Sequence, residues 1–218
     1  MNTRKALIVG STGLTGGYCL QALLDDPAYS EVITLQRKPI ITPHSKLKEV
    51  STVFDANLEK TLSPIDAQDV FCCLGTTVKK AGSQEAFREI DFSLVLRVAL
   101  IMRQQGAEQF IVISAMGADK GSKVFYSRIK GEMEESLQGL NFPCLRILRP
   151  SLLLGNRKEF RLAERAAIVL NPLWKMLLIG SFKKYRPVEA EKVARFMVKV
   201  AHQQPITGVH VYESDLIL

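Results

Sequence analysis

The run Lys5-Ala6-Leu7-Ile8-Val9 ends on Gly10, and two more glycines follow at three-residue steps, Gly13 and Gly16. No other feature restricts the fold as much. A short, almost wholly apolar run suits a strand buried on both faces, and such strands belong to parallel sheets. Parallel strands must be joined by crossovers, usually helices. Residues 14–26 supply the first, which Pro27 helps to close. The glycines between them permit a turn too sharp for side chains.

The alternation continues down the chain. Residues 31–36 read as the second strand, 39–48 as a loop held irregular by Pro39 and Pro43, 50–54 as a shorter third strand, and 69–74 as a fourth, ended by Gly75. A helix over 84–105 follows from Ile90, Leu94, Val98 and Ile101 at helical spacing, with Gly106 as its cap. Residues 109–114 form the fifth strand, 123–137 a helix, 144–148 the sixth strand, and 208–212 a last short one, with helices near 159–170 and 190–202. With 47% apolar and 23% charged residues, disorder is a poor account of any long stretch. The expectation is one α/β domain over 1–218, a Rossmann-type doubly wound parallel sheet with right-handed crossovers, and 156–187 as a small helical insertion facing substrate or partner.

A glycine turn between strand and helix is also an anion site, because the helix N-terminus offers unpaired N–H groups and the positive end of its dipole. Here Gly10 makes the turn, Gly13 lets backbone approach a pyrophosphate, and Gly16 lets helix and strand pack closely. Gly10, Ser11, Thr12, Gly13, Leu14 and Thr15 are therefore expected to bind a nicotinamide dinucleotide. An acid at the end of the second strand would favour NAD(H). This chain has Gln36-Arg37-Lys38, and no carboxylate between Glu31 and Glu49. Arg37 can pair with a 2′-phosphate through its planar fork, so NADP(H) is expected over NAD(H).

Tyr126 and Lys130 are four apart and share a helix face. An ammonium near the phenol would lower its pKa, making Tyr126 an acid or base near neutral pH. Ser114, at a strand end, would face the ligand crevice and hold a carbonyl oxygen while Tyr126 moves the proton. Ser114, Tyr126 and Lys130 are the candidate catalytic residues.

The other features restrict partners. Of the net charge of +7, residues 157–186 hold eight bases (Arg157, Lys158, Arg161, Arg165, Lys175, Lys183, Lys184, Arg186) against Glu159 and Glu164. This is either a solvated face or a surface for an anionic or protein partner; with no nucleic-acid module in the chain, no specific nucleic acid is expected. Cys19, Cys72, Cys73 and Cys144 have no zinc-site spacing, and His44, His202 and His210 do not complete one, so no metal is expected. Cys72 and Cys73 are expected to point to opposite faces of their strand. The opening apolar run is too short for a signal peptide, and no window approaches the roughly 18 apolar residues of a membrane helix. From these the chain is read as cytoplasmic.

The loop Val9-Gly10-Ser11-Thr12-Gly13-Leu14-Thr15-Gly16-Gly17, the Ser114/Tyr126/Lys130 trio and Arg149-Pro150-Ser151 resemble short-chain dehydrogenase/reductases. Phe71-Cys72-Cys73-Leu74-Gly75-Thr76-Thr77 with Lys80-Ala81-Gly82, together with Gly117-Ala118-Asp119-Lys120, resembles the atypical branch that holds the Tat-interactive protein family. The resemblance implies an NADP-binding sheet of order 3-2-1-4-5-6-7. It also implies that Tyr126 and Lys130 touch the cofactor, that Leu74, Gly75 and Thr76 line it, and that Pro150, Ser151 and Leu152 lie near the nicotinamide. Two departures stand out. The catalytic asparagine of typical members, on the helix after the fourth strand, has no counterpart, since no asparagine occurs between Asn57 and Asn141. And only 68 residues follow Pro150, so there is little room for a large substrate region. Two functions fit: an NADP(H)-dependent oxidoreductase acting on a small carbonyl or alcohol, or an NADP(H)-binding redox-sensing regulator or scaffold.

Overall fold

Strand β1 (Arg4–Val9) has Ala6, Leu7, Ile8 and Val9 wholly hidden from solvent, so both its faces must be covered. The computed structural model, which describes residues 3–37, 43–155, 180–204 and 207–217, shows how. After β1 come α1 (Leu14–Asp25), β2 (Tyr29–Gln36), β3 (Leu47–Ser51), α2 (Leu58–Leu62) and β4 (Asp69–Cys72). The chain continues with α3 (Val78–Ala81), α4 (Gln84–Arg88), a π turn (Glu89–Ser93), α5 (Leu94–Gln104), β5 (Gln109–Ile113), α6 (Phe125–Gly139) and β6 (Cys144–Arg149). Then follow β7 (Leu153–Leu154), a 3-10 turn (Gly180–Tyr185), β8 (Val188–Glu189), α7 (Ala190–Ala201), β9 (Gly208–Glu213) and α8 (Ser214–Ile217).

Seven strands form one parallel sheet in the order β3-β2-β1-β4-β5-β6-β9, and β7 pairs with β8 in a small second sheet. This is the Rossmann-type order expected, with β9 as the seventh sheet strand. Alternation sorts the strand residues between two cores. Leu7, Val9, Val70, Cys72, Phe110 and Val112 pack with Leu58, Val98, Met102 and Met133 of the helices on one face. Ala6, Ile8, Phe71 and Ile111 pack with Cys19, Leu23, Val193 and Met197 of α1 and α7 on the other. Cys72 and Cys73 do fall on opposite faces.

Three elements differ from the sequence reading. The third strand is Leu47–Ser51 rather than 50–54, and its half-exposed pattern is that of an edge strand, which carries Lys48 and Glu49 and gives no apolar signal. Phe54 instead turns through a left-handed conformation, φ 57°, and packs against the core. The helix expected over 84–105 is divided into α4, the π turn and α5. The short elements α2, β7, β8 and α8 carry too few residues for periodicity to show. The helix near 159–170, most of the 156–187 insertion, and Lys38 lie outside the described residues.

Helices cross from one face to the other between β1 and β4, where the strand order reverses. In open α/β sheets this switch point, at the strands' C-terminal ends, is where ligands bind. The loops after β1 and β4 meet there: Cys73 N donates to Val9 O at 2.8 Å.

Candidate active site

The glycine loop is tight for reasons internal to the protein. Gly10 has φ +86°, and a Cβ there would lie 2.7 Å from the Cys73 carbonyl. A Cβ on Gly16 would lie 2.0 Å from Gly10 O, so α1 could not start so close to β1. Gly13 is the N-cap of α1, without a side-chain cap and with no acid in the first turn. The first N–H groups of the helix thus point into the crevice end of the sheet with no side chain to satisfy them. Ser11, in the same loop, shares a buried hydrogen bond with Thr34 of β2 at 2.5 Å. The loop's steric clearance, its uncapped N-terminus and a first helical turn free of acid fit a phosphate-bearing group.

At the end of β2, Arg37 is exposed. The register Thr34↔Glu49 also brings a carboxylate to this edge, and Gln36 Nε2 donates to Glu49. Gln36 Oε1 is buried with no hydrogen-bond partner among the described residues. Glu49 was remote in sequence, so the absence of an acid near Arg37 holds along the chain and not in space.

Lys130, on α6, ion-pairs with Asp91 of the π turn at 2.7 Å, their side chains 4% and 1% exposed. The second oxygen of Asp91 accepts the Thr76 N–H at 2.8 Å, fastening the loop after β4. Burial works to lower the Lys130 ammonium, but the Asp91 charge, with Tyr126 behind it, more than offsets this and holds the group above the ordinary lysine value. Tyr126, 37% exposed, packs its ring 5.6 Å from that of Phe87. The bare ammonium expected beside the phenol is therefore half of a neutral pair.

Ser114 follows β5, and its Oγ donates to Glu134, which lies one turn beyond Lys130. Arg149 clamps Glu134, with Nη2 at 2.6 Å from Oε2 and Nε at 3.1 Å from Oε1, and reaches Glu213 at 3.0 Å. Ser114 is thus engaged by Glu134, a partner that the sequence reading did not include. Beyond β6, Pro150 O accepts from Met116 N at 3.0 Å, and Ser151 Oγ donates to Arg186 O. Leu152 O accepts from Val188 N at 2.9 Å. Asp91 and Glu134 went unremarked in the sequence, and Glu49 was noted there only as the end of an acid-free run; the spacing Tyr126, Lys130, Glu134, one helix face at steps of four, was the signal for Glu134.

Residues 6–128, more than half of the chain, match the NAD dependent epimerase/dehydratase family. The chain belongs to this family. Membership places this epimerase/dehydratase relative among NAD(P)-dependent enzymes of the oxidoreductase type. Protein FMP52 of Debaryomyces hansenii is 30% identical over 207 residues, 93% of this chain and 89% of its own. Protein HTATIP2 of Rattus norvegicus is 33% identical over 167 residues, 75% of this chain and 69% of its own. Among solved structures, Bordetella bronchiseptica WbmH in complex with NAD+ aligns with a TM-score of 0.73 at 12% identity, over 98% of this chain and 76% of that one. The Thermotoga maritima UDP-glucose 4-epimerase with UDP-glucose aligns with a TM-score of 0.70 at 16% identity, over 96% and 76%. At such identities these structures show the shared fold.

The comparisons correct one reading. The cytoplasmic placement does not stand, because FMP52 relatives from several fungi are named mitochondrial. A short opening apolar run and the lack of a long apolar window bear only on secretion and membrane spanning, and leave other compartments open. No helix among the described residues is long and apolar enough to cross a membrane.

Proposed function

We propose that the chain is a single domain that binds NADP(H) across the β1–β4 switch point and interconverts a small carbonyl compound and its alcohol. The uncapped, glycine-cleared N-terminus of α1 beside the buried Lys130–Asp91 pair carries this reading. Gly10, Ser11, Thr12, Gly13, Leu14 and Thr15 hold the pyrophosphate, and Arg37 the 2′-phosphate. Leu74, Gly75, Thr76, Pro150, Ser151 and Leu152 flank the nicotinamide half. The dinucleotide, when bound, supplies or accepts the hydride. Tyr126 gives the proton to the carbonyl oxygen in reduction and takes it from the alcohol in oxidation. Lys130 orients the ribose. Ser114, its own proton committed to Glu134, accepts a hydrogen bond from a substrate hydroxyl or from the Tyr126 phenol. The test is titration with NADPH and NADH separately, followed by turnover of a carbonyl panel. NADPH binding the tighter, with Arg37→Ala removing the difference, supports the reading; tighter NADH binding sinks the role of Arg37, with Glu49 the group then favoured.

One observation favours a second reading, a dinucleotide-sensing regulator: Lys130 and Ser114 are both engaged by buried carboxylates. The exposed Lys183 and Lys184, in the segment that Ser151 ties down through Arg186, would then meet an anionic or protein partner. A partner pulled down by wild type and lost on changing Lys183 and Lys184 to Ala, with NADPH binding kept, would decide for it.

A further inference from the structure

We infer that Asp91 is a positioning residue of this site: it keeps Lys130 protonated in dry surroundings and ties that ammonium to the loop after β4. The inference rests on the dinucleotide reading above and adds to it a residue which that reading leaves without a role.

An ammonium buried without a counter-charge sheds its proton. Lys130 is buried, yet it sits above the ordinary lysine value, and Asp91 Oδ1 at 2.7 Å is the charge that keeps it there. Two other groups act on it, Cys72 and Tyr126. Cys72, from β4, is pushed up to about 12 by burial and is therefore a neutral thiol. Tyr126 stands one turn earlier on α6. On the outer side of α6, Arg88 and Arg128 both face Glu132, at 2.5 Å and 4.0 Å, so that carboxylate is taken up by arginines.

Asp91 divides its two oxygens between two tasks, one for the ammonium and one for the Thr76 N–H. It can reach both because it stands in the π turn, where the helix after β4 widens between α4 and α5. Such interruptions are frequent at functional sites. It occupies the helix on which typical short-chain dehydrogenases carry their catalytic asparagine. An asparagine could still accept from Thr76, but it could not neutralise Lys130. The carboxylate therefore does something that the usual residue does not: it makes the charge of Lys130, and the placing of the loop beside it, depend on a single side chain.

The experiment separates charge from shape with Asp91→Asn. In protein carrying isotope-labelled lysine, the Lys130 side-chain carbon signal is assigned by its loss in Lys130→Arg and followed with pH by NMR. The wild-type signal is expected to keep its ammonium position from about pH 6 to about pH 10, and in Asp91→Asn to titrate at least about 2 units lower. NADPH affinity is expected to be flat in wild type between about pH 7 and about pH 9, and to weaken about tenfold in Asp91→Asn as Lys130 loses its proton. A Lys130 titration unmoved by Asp91→Asn, or an affinity equally flat in both proteins, overturns the proposal. If wild type binds no NADPH, the dinucleotide reading fails, and the lysine titration alone still decides whether Asp91 holds the charge. Should Asp91→Asn fail to fold, urea unfolding of Lys130→Met and of the double variant decides: a double variant more stable than Lys130→Met supports the pairing, and one no more stable overturns it.

Discussion

Asp69 and Asp91 are both buried carboxylates, at opposite ends of one sheet, and they are satisfied in different ways. Asp69, at the start of β4, takes two hydrogen bonds from Arg4 at 2.8 and 2.7 Å, one from the Tyr29 hydroxyl at 2.8 Å and one from Gln109 at 3.0 Å. Its partners stand on β1, β2 and β5, so one carboxylate fastens four strands. The bond to Asp69 raises the Arg4 guanidinium, and burial, with Asp69 beside it, raises the Tyr29 phenol. Asp91 holds one ammonium and one N–H, both in loops and helices at the crevice end. The strand starts carry a closed network that stabilises; the strand ends carry groups held in place but still chemically usable. Ligand sites fall at the second kind of edge because there the loops, not the sheet, set the geometry.

The largest effect should come at the closed edge. Asp69→Ala leaves Tyr29 buried without its acceptor and takes one partner each from Gln109, which keeps Ala201 O, and from Arg4, which keeps Glu108, at about 3–5 kcal/mol in urea unfolding. NADPH affinity of the folded protein should not change; a loss of affinity comparable to that of a loop variant would break the distinction between the two edges. Gly10→Ala should cost about 1–3 kcal/mol, because φ +86° is strained for alanine and the Cys73 carbonyl stands in the way. Since the displaced backbone is the dinucleotide loop, NADPH binding should also fall by more than tenfold, whereas Asp69→Ala costs more stability and no affinity. Arg37→Ala should leave the melting temperature unchanged and lose about 1.5–3 kcal/mol of NADPH binding, with NADH unaffected. Tyr126→Phe should also change stability little, within about 0.5 kcal/mol, because the half-exposed hydroxyl makes no hydrogen bond among the described residues. The same change should abolish turnover of any substrate found. Retained turnover would move Tyr126 to the structural side of the comparison.

Alkaline pH sharpens it further. The raised Lys130 value adds stability that is fully present below the ordinary lysine value and is lost as pH rises through the higher folded one. Urea unfolding of wild type and of the Asp91→Asn/Lys130→Met variant should therefore converge only at strongly alkaline pH.

The fold was legible because each βα unit announces itself locally. The run ending at Val9 and the glycines after it require a buried strand, a tight turn and a close-packed helix, and the structure has each. β3 was misplaced because an edge strand buries little and so has no pattern to read. Of the candidate site, the Tyr126–Lys130 face was visible as a four-residue step. The partners were not, for Asp91 and Lys130 are 39 positions apart, and Ser114 and Glu134 are 20.

By itself the chain determined the order of strands and helices, the parallel sheet, and an anion-ready turn at Gly10, since all of these follow from short-range sterics and from apolar periodicity. Only the tertiary structure decided the electrical state of the site. It sets Asp91 against Lys130 and Glu134 against Ser114, because charge acts through space, and only the folded sheet brings these groups within a few ångströms in surroundings dry enough for each charge to matter.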